Sequence, residues 1–218
     1  MHTRASALLL AAATATACAT SPPPSGAGSD EGPAPRIVQP GAPGEASRDF
    51  ETGSQDRIEG AAYTEADVRF MQGMIHHHAQ ALQMAALIPD RTSDRTFRQM
   101  GQRITISQRD EIAMMRRWLL DRGRDAPSGD PSGPLMMMHG MLTPEQMRTL
   151  RDTEGVEFER YFLQFMIQHH GGAIVMVQEL FNTPGAGQES TINFFANEVD
   201  SDQTIEVQRM QQMLAARR

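Results

Sequence analysis

The sequence predicts an all-α protein, a four-helix bundle assembled from two repeated α-hairpins. Three observations predict it. A stretch reading Met-x-x-His-His-x-x-Ala-x-x-Met occurs twice, as Met74, His77, His78, Ala81, Met84 and as Met166, His169, His170, Ala173, Met176, so each pair of equivalent residues is 92 apart. A second stretch repeats as well: Gln108-x-x-Glu111-Ile112-x-x-Met115 matches Gln203-x-x-Glu206-Val207-x-x-Met210 at a spacing of 95. Apolar residues recur with the period of an amphipathic helix, and no alternation of useful length marks a strand. Two hairpins of such helices bury their apolar stripes against each other as a bundle.

The bulk numbers narrow the function. The chain has 218 residues, enough for one domain or two small ones with a sizeable core. A formal net charge of −7 argues against nucleic acid as a partner. Sixteen methionines stand against one cysteine, so any soft-metal chemistry has to use thioether rather than thiolate. The lone Cys18 excludes an internal disulfide framework and a cysteine-based zinc finger. No nucleophile with a paired base, phosphate loop or nucleotide fingerprint is visible, which argues for a binding protein rather than an enzyme.

Residues 1–18 read as a signal peptide. His2 and Arg4 precede the apolar run Ala7 to Ala13, and small residues lead up to Cys18. The run is too short to span a membrane as a stable helix. Ala15-Thr16-Ala17-Cys18 resembles a bacterial lipoprotein cleavage box, with Ala15 where Leu is usual. Lipidation at Cys18 and ordinary secretion both remain open. Either route puts the mature protein outside the cytoplasm, in the periplasm or cell envelope, touching membrane only through such an anchor. Residues 19–62 are rich in Pro, Gly, Ser and Ala and read as a disordered tether.

Residues 63–218 form the helical domain. Thr64-x-x-Asp67 resembles a capping box and opens a first helix that runs to about Leu87, with Pro89 ending it. Ser93 or Asp94 caps a second helix that runs to Asp121, with Gly123 at its C-terminal end. Its apolar stripe holds Phe97, Met100, Ile104, Met115, Trp118 and Leu119, and Gln108 and Glu111 fall within it. A Gly-, Pro- and Met-rich loop covers 124–142. Thr143-Pro144-Glu145 starts a short helix to about Asp152. Gly155 opens a long helix to about Phe181, and a last helix runs from about Ser190 to Ala216.

At about 100° per residue, Met74, His77, His78 and Met84 fall on one arc with Phe70, Met71, Ala81, Leu82, Ala85 and Ile88. Arg69, Gln72, His76, Gln80 and Gln83 lie opposite. The second copy repeats this. Two imidazoles and two thioethers therefore point into the apolar side of each first helix. Burying a pair of adjacent polar rings twice costs free energy unless partners are supplied. Thioether is a soft donor and imidazole borderline, so Met74, His77, His78, Met84, Met166, His169, His170 and Met176 are candidate ligands for Cu(I), or Ag(I) as its mimic. A metal-transfer protein would be the natural partner.

Glu111 and Glu206 also face the core and need partners. A His ring N–H is the simplest, leaving the other ring nitrogen for metal. Alternatively the two carboxylates are ligands themselves, in a carboxylate–histidine site for Fe, Mn or Zn with redox activity. No Glu-x-x-His pair, as in di-iron bundles, supports that. A third reading is a tethered interaction module whose His and Met are only core. Met136, Met137, Met138, His139 and Met141 make a candidate metal-capture loop, or a hydrophobic plug on the bundle.

At these residues the chain resembles the bacterial family of domain of unknown function 305 (DUF305). That family's pattern is an acid, then Phe, then Met-Ile-x-His-His-x-x-Ala-x-x-Met, given twice. Here the acids are Asp67 and Glu159, the latter in place of the usual Asp, and the aromatics are Phe70 and Phe162. Met138-x-x-Met141-Leu142-Thr143 and Gly155-x-x-Phe158 resemble its linker region. The resemblance covers about residues 64–218. It implies a ferritin-like bundle and a likeness to CopM-type envelope proteins, which bind copper and silver and aid metal resistance. It adds Asp67 and Glu159 to Glu111 and Glu206 as residues behind the ligands, or as alternative ligands. His76 makes a triple His in the first copy alone, so the two copies need not be equivalent.

Overall fold

Thr64 caps helix α1 (Glu65–Ala85): its hydroxyl accepts from the Asp67 N–H, and the Asp67 carboxylate accepts from the Thr64 N–H. Two of the orphan donors at this helix end are thus satisfied. The helix ends four residues before the predicted stop residue. Pro89 then sits in the first turn of a four-residue helix, α2 (Ile88–Arg91), where its missing N–H costs nothing. Asp94 caps α3 (Arg95–Asp121) by accepting from the Phe97 N–H, and Gly123 lies just past its end at φ 63°. Helix α4 (Pro144–Asp152) opens on a capping box formed by Thr143 and Gln146. Helices α5 (Gly155–Asn182) and α6 (Ser190–Ala215) form the second hairpin.

The computed structural model describes residues 36–39, 46–51, 61–129 and 138–217. The predicted signal peptide with Cys18, most of the predicted tether, and Met136 and Met137 lie outside the described residues. The chain divides into two units, Met1–Arg57 and Ile58–Arg218. Within the first, β1 (Arg36–Gln39) pairs antiparallel with β2 (Arg48–Glu51), Arg36 opposite Glu51 and Gln39 opposite Arg48. Both strands lie within the stretch 19–62 that reads from the sequence as a tether. Strands of four residues are too short for alternation to register, and only the β-branched Ile37-Val38 pair hints at one.

In the second unit α1 packs on α3, α5 on α6, and α1 on α5. Two apolar clusters fill the bundle. One joins the first half of α1 (Val68, Phe70, Met74) to the second half of α5 (Ala173, Val177, Leu180). The other joins the end of α1 (Ala81, Met84) to the start of α5 (Phe158, Phe162, Met166). The two His helices therefore run antiparallel, and His77/His78 and His169/His170 lie between the clusters. The acids at equivalent positions lock this pseudo-two-fold arrangement. Asp67 Oδ1 accepts from Gly187 N–H at 2.7 Å, in the turn between α5 and α6. Glu159 accepts from Thr92 Oγ1 at 2.5 Å, in the turn before α3, and from Arg217 Nε at 2.6 Å. Each hairpin's first helix thus holds the other hairpin's turn. Among the described residues, no helix is long and apolar enough to cross a membrane.

Candidate metal centre

Four imidazoles are buried at the middle of the bundle: His77, His78 and His170 at 0% exposure and His169 at 1%. They stand two on α1 and two on α5 because adjacent residues there straddle the seam that each helix presents to the interior. The His77 and His169 rings face each other across the α1–α5 interface, centroids 3.8 Å apart and tilted by 37°. Within each pair the centroids are 6.3 Å apart.

The outer ring nitrogens are already spent. Glu111 Oε2 accepts from His78 Nε2 at 2.6 Å, and Glu206 Oε2 accepts from His170 Nε2 at 2.6 Å. Ser107 donates to the other oxygen of Glu111 at 2.5 Å. The His139 carbonyl accepts from His77 Nε2 at 3.1 Å. Carbonyls and carboxylates accept, so Nε2 donates in each of these three rings, and in the neutral form of the ring Nδ1 holds the lone pair. Those three Nδ1 atoms are buried with no hydrogen-bond partner in the protein, as are both nitrogens of His169 and the amide oxygens of Gln108 and Gln203. Leaving a buried polar atom unpaired costs about 1–3 kcal/mol, so a cluster of this size marks a place built for something other than stability.

Burial keeps the inner rings neutral. His77 is pushed down to about 3, first by burial and then by the charge of His78, with the His139 carbonyl working against both. His169 lies well below its ordinary value, first through burial and then through His77, His170 and His78. Glu111 shows the opposite balance. Burial raises its carboxyl, but the hydrogen bond and charge of His78 and the Ser107 hydroxyl outweigh that and leave it below the usual carboxylate range. A neutral imidazole with a free lone pair is the form that ligates a metal.

The layer is sealed on one side and grooved on the other. Glu111 and Glu206 are 23% and 27% exposed, and they reach a cavity of about 260 Å³ between α3 and α6 with Ser107, Gln108, Gln203 and Arg103. On the α1–α5 side, the segment His139–Leu142 lies against the helices. Gln80 holds it there: its amide donates to the Leu142 carbonyl at 3.1 Å and accepts from the Leu142 N–H at 2.7 Å. Gly172 lets the segment approach, since a Cβ there would sit 2.0 Å from the His139 carbonyl oxygen.

The predicted residues divide accordingly. Met74, Met84 and Met166 are fully buried, Met74 in one apolar cluster and Met84 and Met166 in the other. Met176 departs from the expectation: it is half-buried and lines an outer pocket with Met138, His139 and Glu179. Met141 is buried. The carboxylates of Asp67 and Glu159 bond to turns rather than to imidazoles, so neither stands behind the rings as the resemblance implied. Among the described residues, no three His, Cys, Asp or Glu side chains stand together in a metal-holding arrangement. Gln80 and Gly172 were missed by sequence reasoning. Gln80 falls on the polar arc of α1 and is nevertheless 5% exposed. The Gly171-Gly172 pair inside a long helix is the signal that could have been read, because mid-helix glycine is costly and often marks close backbone approach.

The sequence profile of the domain of unknown function DUF305 matches residues 67–214. Solved structures agree. A DUF305 protein of Streptomyces coelicolor, described as a candidate secreted protein, is 30% identical, with 70% of this chain and 93% of that one covered and a TM-score of 0.62. A DUF305 fragment from Deinococcus radiodurans is 30% identical over 71% of this chain and 98% of that one, TM-score 0.63. CopM in its Cu(II)-bound form is 23% identical over 69% and 96%, TM-score 0.57, a likeness of fold. CopM has also been solved with Cu(I) and with silver bound. No curated protein matches the chain.

Proposed function

The chain belongs to the DUF305 family, and from that premise we propose that it is an exported protein that binds Cu(I), or Ag(I) in its place, as cargo for sequestration, transfer or resistance. The observation that carries this reading is the set of buried imidazole nitrogens with unspent lone pairs, on helices that place a methionine three residues before each His pair. Residues three apart are neighbours on a helix surface, so Met74 stands next to His77 and Met166 next to His169. Thioether plus neutral imidazole suits a soft monovalent ion of low coordination number. The ligands are drawn from Met74, His77, His78, Met84, Met166, His169 and His170. Glu111 and Glu206 fix the orientation of the His78 and His170 rings.

CopM, solved with copper and with silver, supports the metal, and the description of the Streptomyces coelicolor relative supports export. Both carboxylates near the layer are already spent on imidazole N–H groups, which favours copper over an Fe, Mn or Zn site. The test is Cu(I) competition titration of single variants under anaerobic conditions. His77→Ala and His169→Ala should lose more affinity than Glu111→Gln and Glu206→Gln, whose loss should fall within about 10–100-fold. If the Glu variants lose metal as completely as the His variants, the carboxylates are ligands and the copper reading gives way to the harder metals.

A further inference from the structure

We propose a second, outer site for one soft monovalent cation, Cu(I) or Ag(I), made by the thioethers of Met138 and Met176 and the imidazole of His139. The two methionines come from elements far apart in sequence, yet both stand over Gly73. A Cβ on Gly73 would meet Met138 Sδ at 3.3 Å and Met176 Cε at 3.4 Å, so its lack of a side chain makes room for both. Met138, His139, Met176 and Glu179 line one pocket of about 380 Å³ with Gly73 as part of its floor. His139 Nε2 lies 2.9 Å from Glu179 Oε1. The carboxylate accepts from Nε2–H and leaves Nδ1 with a lone pair, the same device that orients His78 and His170 inside.

The setting distinguishes this site from the buried layer. His139 and Glu179 are exposed at their side chains, 51% and 62%, and both methionines are half-buried, so an ion reaches the site without opening the bundle. Two thioethers in a row are poor ligands for hard ions, which selects a soft cation. The pocket is also linked inward by one residue. While the His139 side chain faces the pocket, its carbonyl accepts from His77 Nε2. The site does not need the buried imidazoles to bind, and it stands or falls on its own donors.

The experiment uses the mature chain carrying ¹³C-methyl methionine, titrated anaerobically with Ag(I), the diamagnetic probe. The ε-methyl signals of Met138 and Met176 should shift together, and the Met138→Leu/Met176→Leu variant should bind one Ag(I) fewer than the wild type. Leu for Met conserves volume, so the fold should survive. His139→Ala keeps the main-chain carbonyl on His77 and should still weaken the outer ion by more than the ~10-fold that loss of a partner behind a ligand costs. Unmoved Met138 and Met176 methyls, or an unchanged stoichiometry in the double Leu variant, would overturn the outer site. Shifts at Met74 and Met166 report on the buried layer separately, so failure of one site is read independently of the other.

Discussion

Acid should unfold the metal-free domain earlier than its carboxylates alone would require. His77 and His169 are neutral in the folded protein, with His77 held at about 3 against an ordinary 6.5. Their folded pKa values lie below the unfolded ones, so between the two the unfolded chain binds more protons. Their contribution is therefore fully present above pH 6.5 and is lost as pH falls toward the folded values. Each such ring costs about 1.4 kcal/mol per pH unit, and two together roughly 3. Over two pH units the loss is on the order of 5 kcal/mol, as large as the whole stability of a marginal domain. Glu111, lowered from 4.5, adds its own loss at more acid pH in the same direction. Urea titrations followed by the fluorescence of Trp118, which is buried in one of the apolar clusters, measure this at a series of pH values. Stability should fall steadily from about pH 6.5 downward, and His77→Gln/His169→Gln should flatten the slope. A wild-type unfolding midpoint that stays constant from about pH 7 to 5 would refute the account of the neutral rings.

Three further outcomes follow from the geometry. Gly172→Ala would drive a methyl into the His139 backbone, displace the 139–142 segment and break its bond to His77; thermal unfolding should show a loss of about 1–3 kcal/mol or more. Asp67→Ala removes the capping box and the bond to Gly187 together and should destabilise by about 2 kcal/mol or more in urea, while leaving Cu(I) affinity nearly unchanged. Gln80→Leu should cost about 1–3 kcal/mol by orphaning the Leu142 N–H and carbonyl, and amide exchange at Leu142 should speed up; an unchanged exchange rate would speak against the clamp.

The sequence made local features legible and long-range ones opaque. Thr64, Asp94 and Thr143 announced their helix starts because a cap is a contact within a single turn. The His pairs could be placed in the interior, and Glu111 and Glu206 beside them, because periodicity fixes a face and a repeat fixes its partner. Gln80 lies on the polar arc, as periodicity says, but periodicity carries no sign of the loop that arrives from 62 residues away and buries it. Asp67 and Glu159 share a position in the repeat, but their hydrogen bonds to opposite turns are contacts 120 and 67 residues apart that no local pattern carries. Met84 and Met176 occupy equivalent positions in the repeat, yet only Met84 is fully buried, a difference that the shared pattern does not carry.

Metal analysis of the protein after anaerobic Cu(I) loading, against a competing chelator, tests most directly whether the buried His residues hold a soft cation. Copper should be retained by the wild type, and by the Met138→Leu/Met176→Leu variant that lacks the outer thioethers, and lost from His77→Ala/His169→Ala verified as folded by circular dichroism. Iron or manganese co-purifying instead of copper, or no metal retained by the wild type, would contradict it.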